Sequence, residues 1–515
     1  MNGAQALIRT LVDSEVDVCF MNPGTSEMHF VHELDQVPGM RSVLALFEGV
    51  ATGAADGYAR MAGRPAAVLL HLGPGLGNGL ANLHNARRAK TPVVNIVGDH
   101  ATYHAKYDAP LQSDIASIAA GVSGWIRTAT DPEHVARDAA DAVAAAYGPP
   151  GQVATLILPA DVCWLGAPGP VTPSPRSAPG VVPAERIEDV AAAVRSGRTA
   201  ILVGGTAMTE GALRDVARIG AATGAKALAE TFPARAERGA GLPVVERLAY
   251  LAEFAQAQLD GVEHLVLVDA AHPVSFFAYP DKASDLVPEG CSVHVLAAPD
   301  EDAPRALADL VAALDAGGAE VPTAPAGRPD RPTGPLTAET LALAIGALLP
   351  EGAVVADEGN TGGLFVSGFT AGAPRHDWLC LTGGSIGYGL PVATGAAVAV
   401  PDRKVLCLEA DGSGMYTLQA LWTQARLGLD VTTVVLNNGS YAVLNMELDR
   451  VGAGTAGEKA REMLDIPGLD FVSLARGMGV PATRATTAEE FTTQLEQALA
   501  TEGPSLVEAM IPATL

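Results

Sequence analysis

The chain has 515 residues and a formal net charge of −25, with 58 Asp and Glu against 33 Lys and Arg. That balance argues against nucleic acid as a partner, because phosphate binding needs clustered cations. No stretch reaches the roughly 18 consecutive apolar residues of a membrane span, and no basic segment precedes an apolar core at the N-terminus. Five scattered cysteines form no metal-binding pair and are typical of reduced, buried thiols, so we expect a cytoplasmic protein.

Two proline-rich segments divide the chain into three parts of comparable length. Gly166 to Ala184 contains six prolines, and Gly317 to Pro335 contains five. Such segments are typical of linkers, so we predict domains at residues 1–165, 183–316 and 336–515. Each part alternates short strands of Val, Ile, Leu and Ala with longer Ala-rich helices. This pattern predicts an α/β fold of three doubly wound domains, each a parallel sheet covered by helices on both faces.

In the first part, polar residues stand where three predicted strands end. Thr25 lies in the turn Asn22-Pro23-Gly24-Thr25-Ser26-Glu27, Glu48 follows the apolar run 44–47, and His71 follows the strand 67–70. Neighbouring parallel strands end on one edge of a sheet, so we expect these three side chains to share an edge. A carboxyl group there would be desolvated, which raises its pKa. Structural explanations also exist, since a Glu at a helix N-terminus is stabilised by the helix dipole.

The middle part contains one candidate nucleotide loop and one aromatic cluster. The strand 200–203 runs into Gly204-Gly205, but the fingerprint Gly-x-Gly-x-x-Gly is absent. We therefore predict that this domain is structural. Phe276, Phe277 and Tyr279 fit the wall of a substrate pocket as well as they fit a core or an interface.

The last part carries two segments that predict a metal site. Glu409-Ala410-Asp411-Gly412-Ser413-Gly414 and Asn437-Asn438-Gly439-Ser440 each follow an apolar, strand-like run, and a helical stretch lies between them. The strands of such a βαβ unit are parallel, so Asp411 and Asn438 would lie side by side with free oxygens. Mg²⁺ prefers oxygen ligands together with phosphates. The glycines let the chain approach a diphosphate, and a helix N-terminus directs N–H groups towards it. Either segment alone would also fit an ordinary turn.

Two further glycine-rich turns stand in the last part. Asp357-Glu358-Gly359-Asn360-Thr361 follows a short strand, and Gly383-Gly384-Ser385-Ile386-Gly387-Tyr388-Gly389 precedes an apolar helix. Taken alone, such glycines mark tight turns.

Together these segments resemble the superfamily of thiamine diphosphate-dependent 2-oxo acid decarboxylases and acetolactate synthase large subunits over nearly the whole chain. The motifs are most similar to those of benzoylformate decarboxylases and acetolactate synthase-like proteins. One departure is Ala410, where the family usually has Gly. The resemblance implies that the three domains are, in chain order, the pyrimidine-binding, middle and diphosphate-binding domains.

The resemblance also implies a role for each candidate residue. It assigns catalysis to Glu48, as the partner of the cofactor's pyrimidine ring, and to His71 and Thr25 on the substrate side. The residues that it implies for the cofactor are Gly359, Asn360, Thr361, Gly384, Ile386, Asp411, Gly412, Ser413, Asn438, Ser440 and Tyr441, and those that it implies for the metal are Asp411, Asn438 and Ser440.

The implied reaction is cleavage of the bond between C1 and C2 of a 2-oxo acid, with thiamine diphosphate and Mg²⁺ as cofactors and without FAD. We expect non-oxidative decarboxylation of the benzoylformate decarboxylase type, through an enamine. The first alternative is an acetolactate synthase-like carboligase, and the second is a non-catalytic cofactor-binding homologue. This chain departs from the pattern of each group. Glu447 stands near the position where acetolactate synthases have a tryptophan, and Ala278 stands near the position where benzoylformate decarboxylases have a second histidine.

The family builds each active site from two subunits. We therefore expect a homodimer as the smallest active unit and a homotetramer as the usual form. The expected partner is a small-molecule 2-oxo acid, with neither nucleic acid nor a membrane.

Overall fold

The computed structural model describes residues 1–513, apart from the side chain of residue 449. Three sheets of six, five and seven strands succeed one another along the chain. Most strands are buried and are covered by helices, as expected for parallel sheets. The predicted α/β fold with three parallel-sheet domains is confirmed. Within the described residues no helix is both long and apolar enough to cross a membrane.

The first sheet contains strands β1 to β6, and its helices are α1 to α7. The strands are β1 (Val18–Asn22), β2 (Arg41–Leu44), β3 (Ala66–Leu70), β4 (Val93–Asp99), β5 (Trp125–Thr128) and β6 (Val153–Pro159). The helices are α1 (Gly3–Asp13), α2 (Met28–Glu33), α3 (Glu48–Ala62), α4 (Leu72–Arg88), α5 (Ile115–Ala119), α6 (Val135–Tyr147) and α7 (Ala160–Trp164). The spatial order is β2-β1-β3-β4-β6-β5. The ends of β1, β2 and β3 are therefore neighbours, which places the segments of Thr25, Glu48 and His71 along one edge.

The second sheet comes from the middle part. Strands in that part are β7 (Thr199–Val203), β8 (Lys226–Ala229), β9 (Ala236–Arg238), β10 (Glu246–Arg247), β11 (His264–Val268) and β12 (Ser292–Ala297). Its helices are α8 (Ala184–Ser196), α9 (Glu210–Thr223), α10 (Ala252–Leu259) and α11 (Ala303–Ala313). The order β10-β8-β7-β11-β12 leaves β9 outside this sheet. The strand order reverses beside β7, where doubly wound sheets commonly bind ligands.

The third sheet comes from the C-terminal part together with β9. Its own strands are β13 (Val354–Glu358), β14 (His376–Cys380), β15 (Val405–Ala410), β16 (Val431–Asn437), β17 (Ala482–Ala485) and β18 (Ser505–Met510). Its helices are α12 (Ala338–Leu348), α13 (Val366–Phe369), α14 (Gly389–Ala399), α15 (Asp411–Gly414), α16 (Ala420–Leu427), α17 (Ala442–Arg450), α18 (Glu458–Leu464), α19 (Phe471–Gly477) and α20 (Ala488–Ala500). The order is β17-β18-β16-β15-β13-β14-β9.

Strand β9 ties the middle part to the third sheet. It pairs antiparallel with β14, with Ala236 opposite Trp378 and Arg238 opposite His376. The segment around β9 therefore lies against the C-terminal domain and not within its own sheet.

Helices α3 and α14 join the first and third domains at close range. A Cβ added at Gly57 would lie 2.1 Å from the Val392 carbonyl oxygen, and one at Gly395 would lie 1.8 Å from that of Ala54. These glycines are required because the two helix backbones approach too closely for any side chain between them.

Arg60, near the end of α3, contacts all three domains. Its guanidinium forms a buried bidentate ion pair with Asp56, at 2.8 Å and 2.6 Å. It also donates to the carbonyl oxygens of Ala234, in the middle part, at 3.0 Å and of Cys380, in the third sheet, at 2.8 Å, and to the Tyr388 hydroxyl at 2.9 Å. The relative position of the domains therefore depends on one buried cation.

Replacing Arg60 with Met should destabilise the protein strongly. Breaking a buried ion pair costs about 3–5 kcal/mol, because the remaining partner stays buried and uncompensated. Urea unfolding followed by circular dichroism should show a clearly lower midpoint for Arg60→Met. The control is Arg64→Met, which removes a pair with Asp17 in which both side chains are more than a third exposed, and should cost at most about 1 kcal/mol. Equal midpoints for the two variants would contradict the role of Arg60.

Candidate functional site

A cavity of about 980 Å³ lies between the middle and C-terminal domains. One wall is polar and is formed where β13, β15 and β16 end. All eleven residues that were predicted to bind the cofactor line this cavity, although they come from four separate segments of the sequence. The fold brings them together, and their part in binding stays a prediction.

Asp411 begins α15 at the end of β15, and only 2% of its surface is exposed. Its Oδ1 accepts the Gly412 N–H at 2.8 Å, and its Oδ2 accepts those of Asn438 at 3.0 Å and Gly439 at 2.7 Å. These bonds join the ends of β15 and β16, which are parallel neighbours as predicted. Burial raises the pKa of Asp411, and the three N–H donors oppose that rise. No ion pair within the described residues includes this carboxylate, so its charge is left without a cation.

The turn after β16 supplies the other predicted metal ligands. The Asn438 Oδ1 accepts the Ser440 N–H at 2.9 Å, which closes a tight turn. The Ser440 hydroxyl donates to Asp465 Oδ1 at 3.2 Å. A Cβ at Gly412 would lie 2.4 Å from the Tyr441 ring, so Gly412 lets that ring pack over the start of α15.

The turn after β13 completes the polar wall. Asn360 has a left-handed backbone, with φ of +46°, and its Nδ2 donates to the Ser413 hydroxyl at 3.0 Å. A Cβ at Gly359 would approach Gly363 Cα to 2.9 Å. The turn is therefore compact and is held directly against α15.

Glu358, at the end of β13, holds the glycine-rich loop in front of α14. Its carboxylate accepts the N–H groups of Gly387 at 2.9 Å, Tyr388 at 2.7 Å and Gly389 at 2.6 Å. Glu409 is its neighbour on β15 and accepts the Leu390 N–H at 3.0 Å. Burial raises the pKa of Glu358 to about 7, and burial beside Glu358 raises the pKa of Glu409 well above its ordinary value. The two carboxyl groups therefore fix the loop that carries Gly384 and Ile386.

The opposite wall is aromatic and comes from the middle domain. Phe276 packs against Tyr250 and Phe277, each with ring centroids 5.3 Å away, and all three line the cavity. Gly384 has φ of +72°, and a Cβ there would lie 2.9 Å from the Phe276 ring. Tyr279 is buried behind this wall. Its hydroxyl donates to Glu447 at 2.8 Å, and that of Tyr250 donates to the same carboxylate at 3.3 Å.

Glu48 and His71 lie together in the first domain. The Glu48 Oε2 accepts from Asn78 Nδ2 at 3.0 Å. A Cβ at Gly75 would lie 3.3 Å from Glu48 Oε1 and 3.5 Å from His71 Cβ, so both side chains border the same glycine. Glu48 is the first residue of α3 and is half-buried.

Glu27 is a buried partner of His71 that had not been assigned a role from the sequence. Its Oε2 lies 2.8 Å from His71 Nδ1 and also accepts the Gly24 N–H at 2.7 Å. Burial raises the pKa of Glu27, while the Gly24 N–H and His71 oppose that rise. A Cβ at Gly24 would overlap the His71 ring at 2.4 Å, so the turn and the imidazole fit closely. Thr25, in the same turn, is exposed.

Comparison with known proteins identifies the family of this chain. Residues 1–120 match the N-terminal TPP binding domain of thiamine pyrophosphate enzymes, and residues 357–509 match the C-terminal TPP binding domain of the same enzymes. The chain belongs to the thiamine pyrophosphate enzyme family. It is 61% identical, over 99% of both chains, to IlvX of Mycobacterium tuberculosis, which is provisionally named an acetolactate synthase large subunit. It is 31% identical, over 95% of both chains, to a benzoylformate decarboxylase of Pseudomonas aeruginosa.

A solved structure has the same fold. The thiamine diphosphate-dependent 4-hydroxybenzoylformate decarboxylase of Rhodococcus jostii superposes with a TM-score of 0.87 over 99% of both chains, at 24% identity. The family and its fold agree with the resemblance drawn from the motifs. The chain is therefore a thiamine diphosphate-dependent enzyme of the decarboxylase or acetolactate synthase-like kind.

The catalytic candidates do not line the cavity between the middle and C-terminal domains. The cavity wall contains none of Thr25, Glu48 and His71 among its described residues. Helix α4 nevertheless links the two regions, because Asn82 Nδ2 donates to the Gly49 carbonyl at 2.9 Å and to the Gly387 carbonyl at 3.1 Å. One chain thus holds two separate sets of candidate residues.

Proposed function

We propose that the protein is a thiamine diphosphate- and Mg²⁺-dependent lyase that cleaves the bond between C1 and C2 of a 2-oxo acid by non-oxidative decarboxylation. The observation that carries this proposal is the cavity wall, where the buried Asp411 and the turns after β13 and β16 face one space beside Ile386. The benzoylformate decarboxylase relative supports the reaction type. The presence of both Glu48 and Asp411 argues against a non-catalytic homologue.

The residues of the first domain would move protons. Bound thiamine diphosphate supplies the nucleophilic carbon and the electron sink for decarboxylation. Glu48 would hold a proton against the pyrimidine ring, with Oε2 fixed by Asn78 and Oε1 free for this bond. Glu27 would keep the proton of His71 on Nδ1, because its carboxylate accepts there, and would thus leave Nε2 to exchange a proton with the substrate.

Mg²⁺ fits the polar wall. Asp411 is a buried carboxylate that has no cationic partner in the part of the chain that the structure describes, and a divalent cation would supply the missing charge. Asn438 would add its amide oxygen. Ser440 would contribute its carbonyl oxygen, because its hydroxyl already bonds to Asp465.

Carboligation is the second candidate function, and the similarity to IlvX favours it. Glu447 and Tyr250 line the same cavity as Ile386, and Tyr279 donates to Glu447 from behind the aromatic wall. A second carbonyl compound could bind beside this polar part of the wall. The ratio of aldehyde to hydroxyketone among the products separates the two functions.

We also propose that the active unit is a homodimer, with Glu48, His71 and Thr25 of one subunit completing the cavity of the other. The separation of the two sets of residues within one chain supports this arrangement, because proton transfer requires contact with the cofactor. Assembly of two dimers into a tetramer is the form expected from the family resemblance.

We propose that the loop after β7 does not hold the diphosphate of FAD. The Asp269 carboxylate accepts the Thr206 N–H at 2.8 Å and pairs with Lys90, and Glu230 accepts the Gly205 N–H at 3.3 Å. A nucleotide phosphate would need these N–H groups. The two carboxylates would also repel it.

The protein purified without added flavin should therefore lack the visible absorption band of a flavin. The measurement is an absorption spectrum, followed by flavin fluorescence of the supernatant after heat denaturation. Flavin released in a ratio of one per chain would contradict the assignment.

Glu48→Gln should abolish CO₂ release from 2-oxo acids while leaving the cofactor bound. Loss of a general acid–base group typically costs at least about 100-fold in rate. The assay follows CO₂ and, by NMR, the products from pyruvate, branched 2-oxo acids and benzoylformate. Exchange of the C2 proton of the bound cofactor should slow in parallel.

The control is Glu133→Gln, at an exposed residue of the same domain. Normal exchange in Glu48→Gln would remove Glu48 from its role, and no CO₂ release from any substrate by the wild type would contradict the lyase proposal.

Asp411→Ala should abolish tight binding of thiamine diphosphate that depends on Mg²⁺. Loss of a metal ligand leaves the diphosphate charge uncompensated, so we expect affinity to fall by at least about tenfold. Calorimetric titration of the cofactor with and without Mg²⁺ measures this effect. Asp402→Ala, at an exposed position in the same domain, is the matched control. Unchanged affinity in Asp411→Ala would contradict the metal assignment.

A further inference from the structure

Two arginines of the middle part converge on one serine in the wall of the cavity. Arg238, at the end of β9, donates through Nη2 to the Ser367 carbonyl oxygen, and Arg247, in β10, donates through Nη2 to the Ser367 hydroxyl at 3.3 Å. Both arginines and Ser367 line the cavity. The two guanidinium groups therefore lie close together although like charges repel.

Neither guanidinium has an anionic partner among the described residues. Each arginine makes one hydrogen bond to Ser367, and Arg247 also donates to the Cys380 sulfur at 3.4 Å. Two guanidinium groups offer about ten N–H donors, and these three bonds all go to neutral acceptors. The Asp357 carboxylate acts to raise the pKa of both arginines, but its oxygens accept from Trp378 Nε1 at 3.0 Å and from the Gly359 N–H at 3.2 Å.

The two arginines differ in their electrostatics. Burial opposes the charge of Arg247, but Cys380 and Asp357 outweigh it and raise the pKa of Arg247. Burial and the neighbouring Arg247 lower the pKa of Arg238 to about 10. Arg238 also lies over the Trp378 ring, 5.2 Å from its centroid, which fixes the plane of the guanidinium. An oxyanion that accepted from both arginines would remove the repulsion between them and use their free donors.

Part of the cavity wall is apolar, although Glu237, Glu246 and Asp357 also line it. Side chains of Val244, Leu251, Phe254 and Leu364 line the same cavity and are more accessible than core residues. A ligand that reaches the arginines would therefore bury an apolar body along this wall while its charged end meets the guanidinium groups.

We propose that Arg238 and Arg247 form a binding site for the oxyanion group, carboxylate or phosphate, of an organic ligand that lies in this cavity beside the cofactor. Within the described residues neither arginine hydrogen-bonds to any of the eleven residues predicted to bind the cofactor, so the proposed oxyanion site lies outside that set. The oxyanion belongs either to a distal group of the 2-oxo acid or to a separate ligand. The first case rests on the proposed function, and the second does not.

The test uses inorganic phosphate as the probe. Protein saturated with thiamine diphosphate and Mg²⁺, so that the diphosphate site is filled, is titrated with phosphate at constant ionic strength. The intrinsic tryptophan fluorescence, to which Trp378 contributes, and the heat of binding are recorded. We expect saturable binding that weakens by about tenfold or more in Arg238→Met and in Arg247→Met, since each loses a charge-assisted pair of bonds. Arg305→Met, on an exposed face of α11, should bind like the wild type.

Two further measurements keep the result interpretable. Unchanged affinity for thiamine diphosphate shows that each variant is folded, and Arg247→Lys, which keeps the charge, should retain part of the phosphate binding. No saturable binding by the wild type, or equal binding by the Met variants, would overturn the proposal, and this outcome is independent of whether CO₂ is released.

Substrate kinetics identify the source of the oxyanion. If the oxyanion is a distal group of the substrate, Arg247→Met raises the KM for 2-oxo acids that carry a terminal carboxylate. It leaves unchanged the KM for 2-oxo acids whose side chains are uncharged. If it belongs to a separate ligand, the variant changes neither KM, and phosphate binds without competing with either substrate.

Discussion

The buried ion pair between Arg60 and Asp56 is the contact on which the arrangement of the three domains depends. A buried guanidinium is costly unless its donors are satisfied, and the carbonyl oxygens of Ala234 and Cys380 satisfy them from two other domains. The position of the middle domain against the C-terminal sheet follows from these bonds. The cavity lies between those two domains, so its shape depends on a residue that does not line it.

Buried carboxylates organise the loops of the site by the same principle. Asp411, Glu358 and Glu27 each accept hydrogen bonds from backbone N–H groups of the turns beside them. Such bonds fix backbone that contains many glycines and would otherwise be mobile. The pKa of each of these three carboxyl groups is raised, because the effect of burial is larger than that of the hydrogen bonds from the N–H groups. The acidic excess of the chain is thus partly structural and is not confined to the solvated surface.

The cofactor-side wall could be predicted because it follows from strand order. Asp411 and Asn438 end parallel neighbours, and a βαβ unit allows few other arrangements. The roles of Glu27 and Glu358 could not be predicted, since both depend on where a side chain points after the turn has closed. Strand β9 was missed for another reason. It has three residues, and its partner β14 lies about 140 positions further along the chain, so no local pattern indicates the pairing.

Charged groups of both signs line the cavity, and the third sheet keeps Asp411 apart from the two arginines. Asp411 follows β15, whereas Arg238 belongs to β9 and Arg247 donates to Cys380 in β14, with β13 between these strands and β15. Under the proposed function Mg²⁺ would be held by Asp411 and Asn438 and would supply the cation that Asp411 lacks among the described residues. The arginines have no anionic partner among those residues, and their hydrogen bonds go to Ser367 and Cys380. Their remaining donors therefore favour an anion of their own, and the apolar side chains of the wall favour one that is carried on an apolar body.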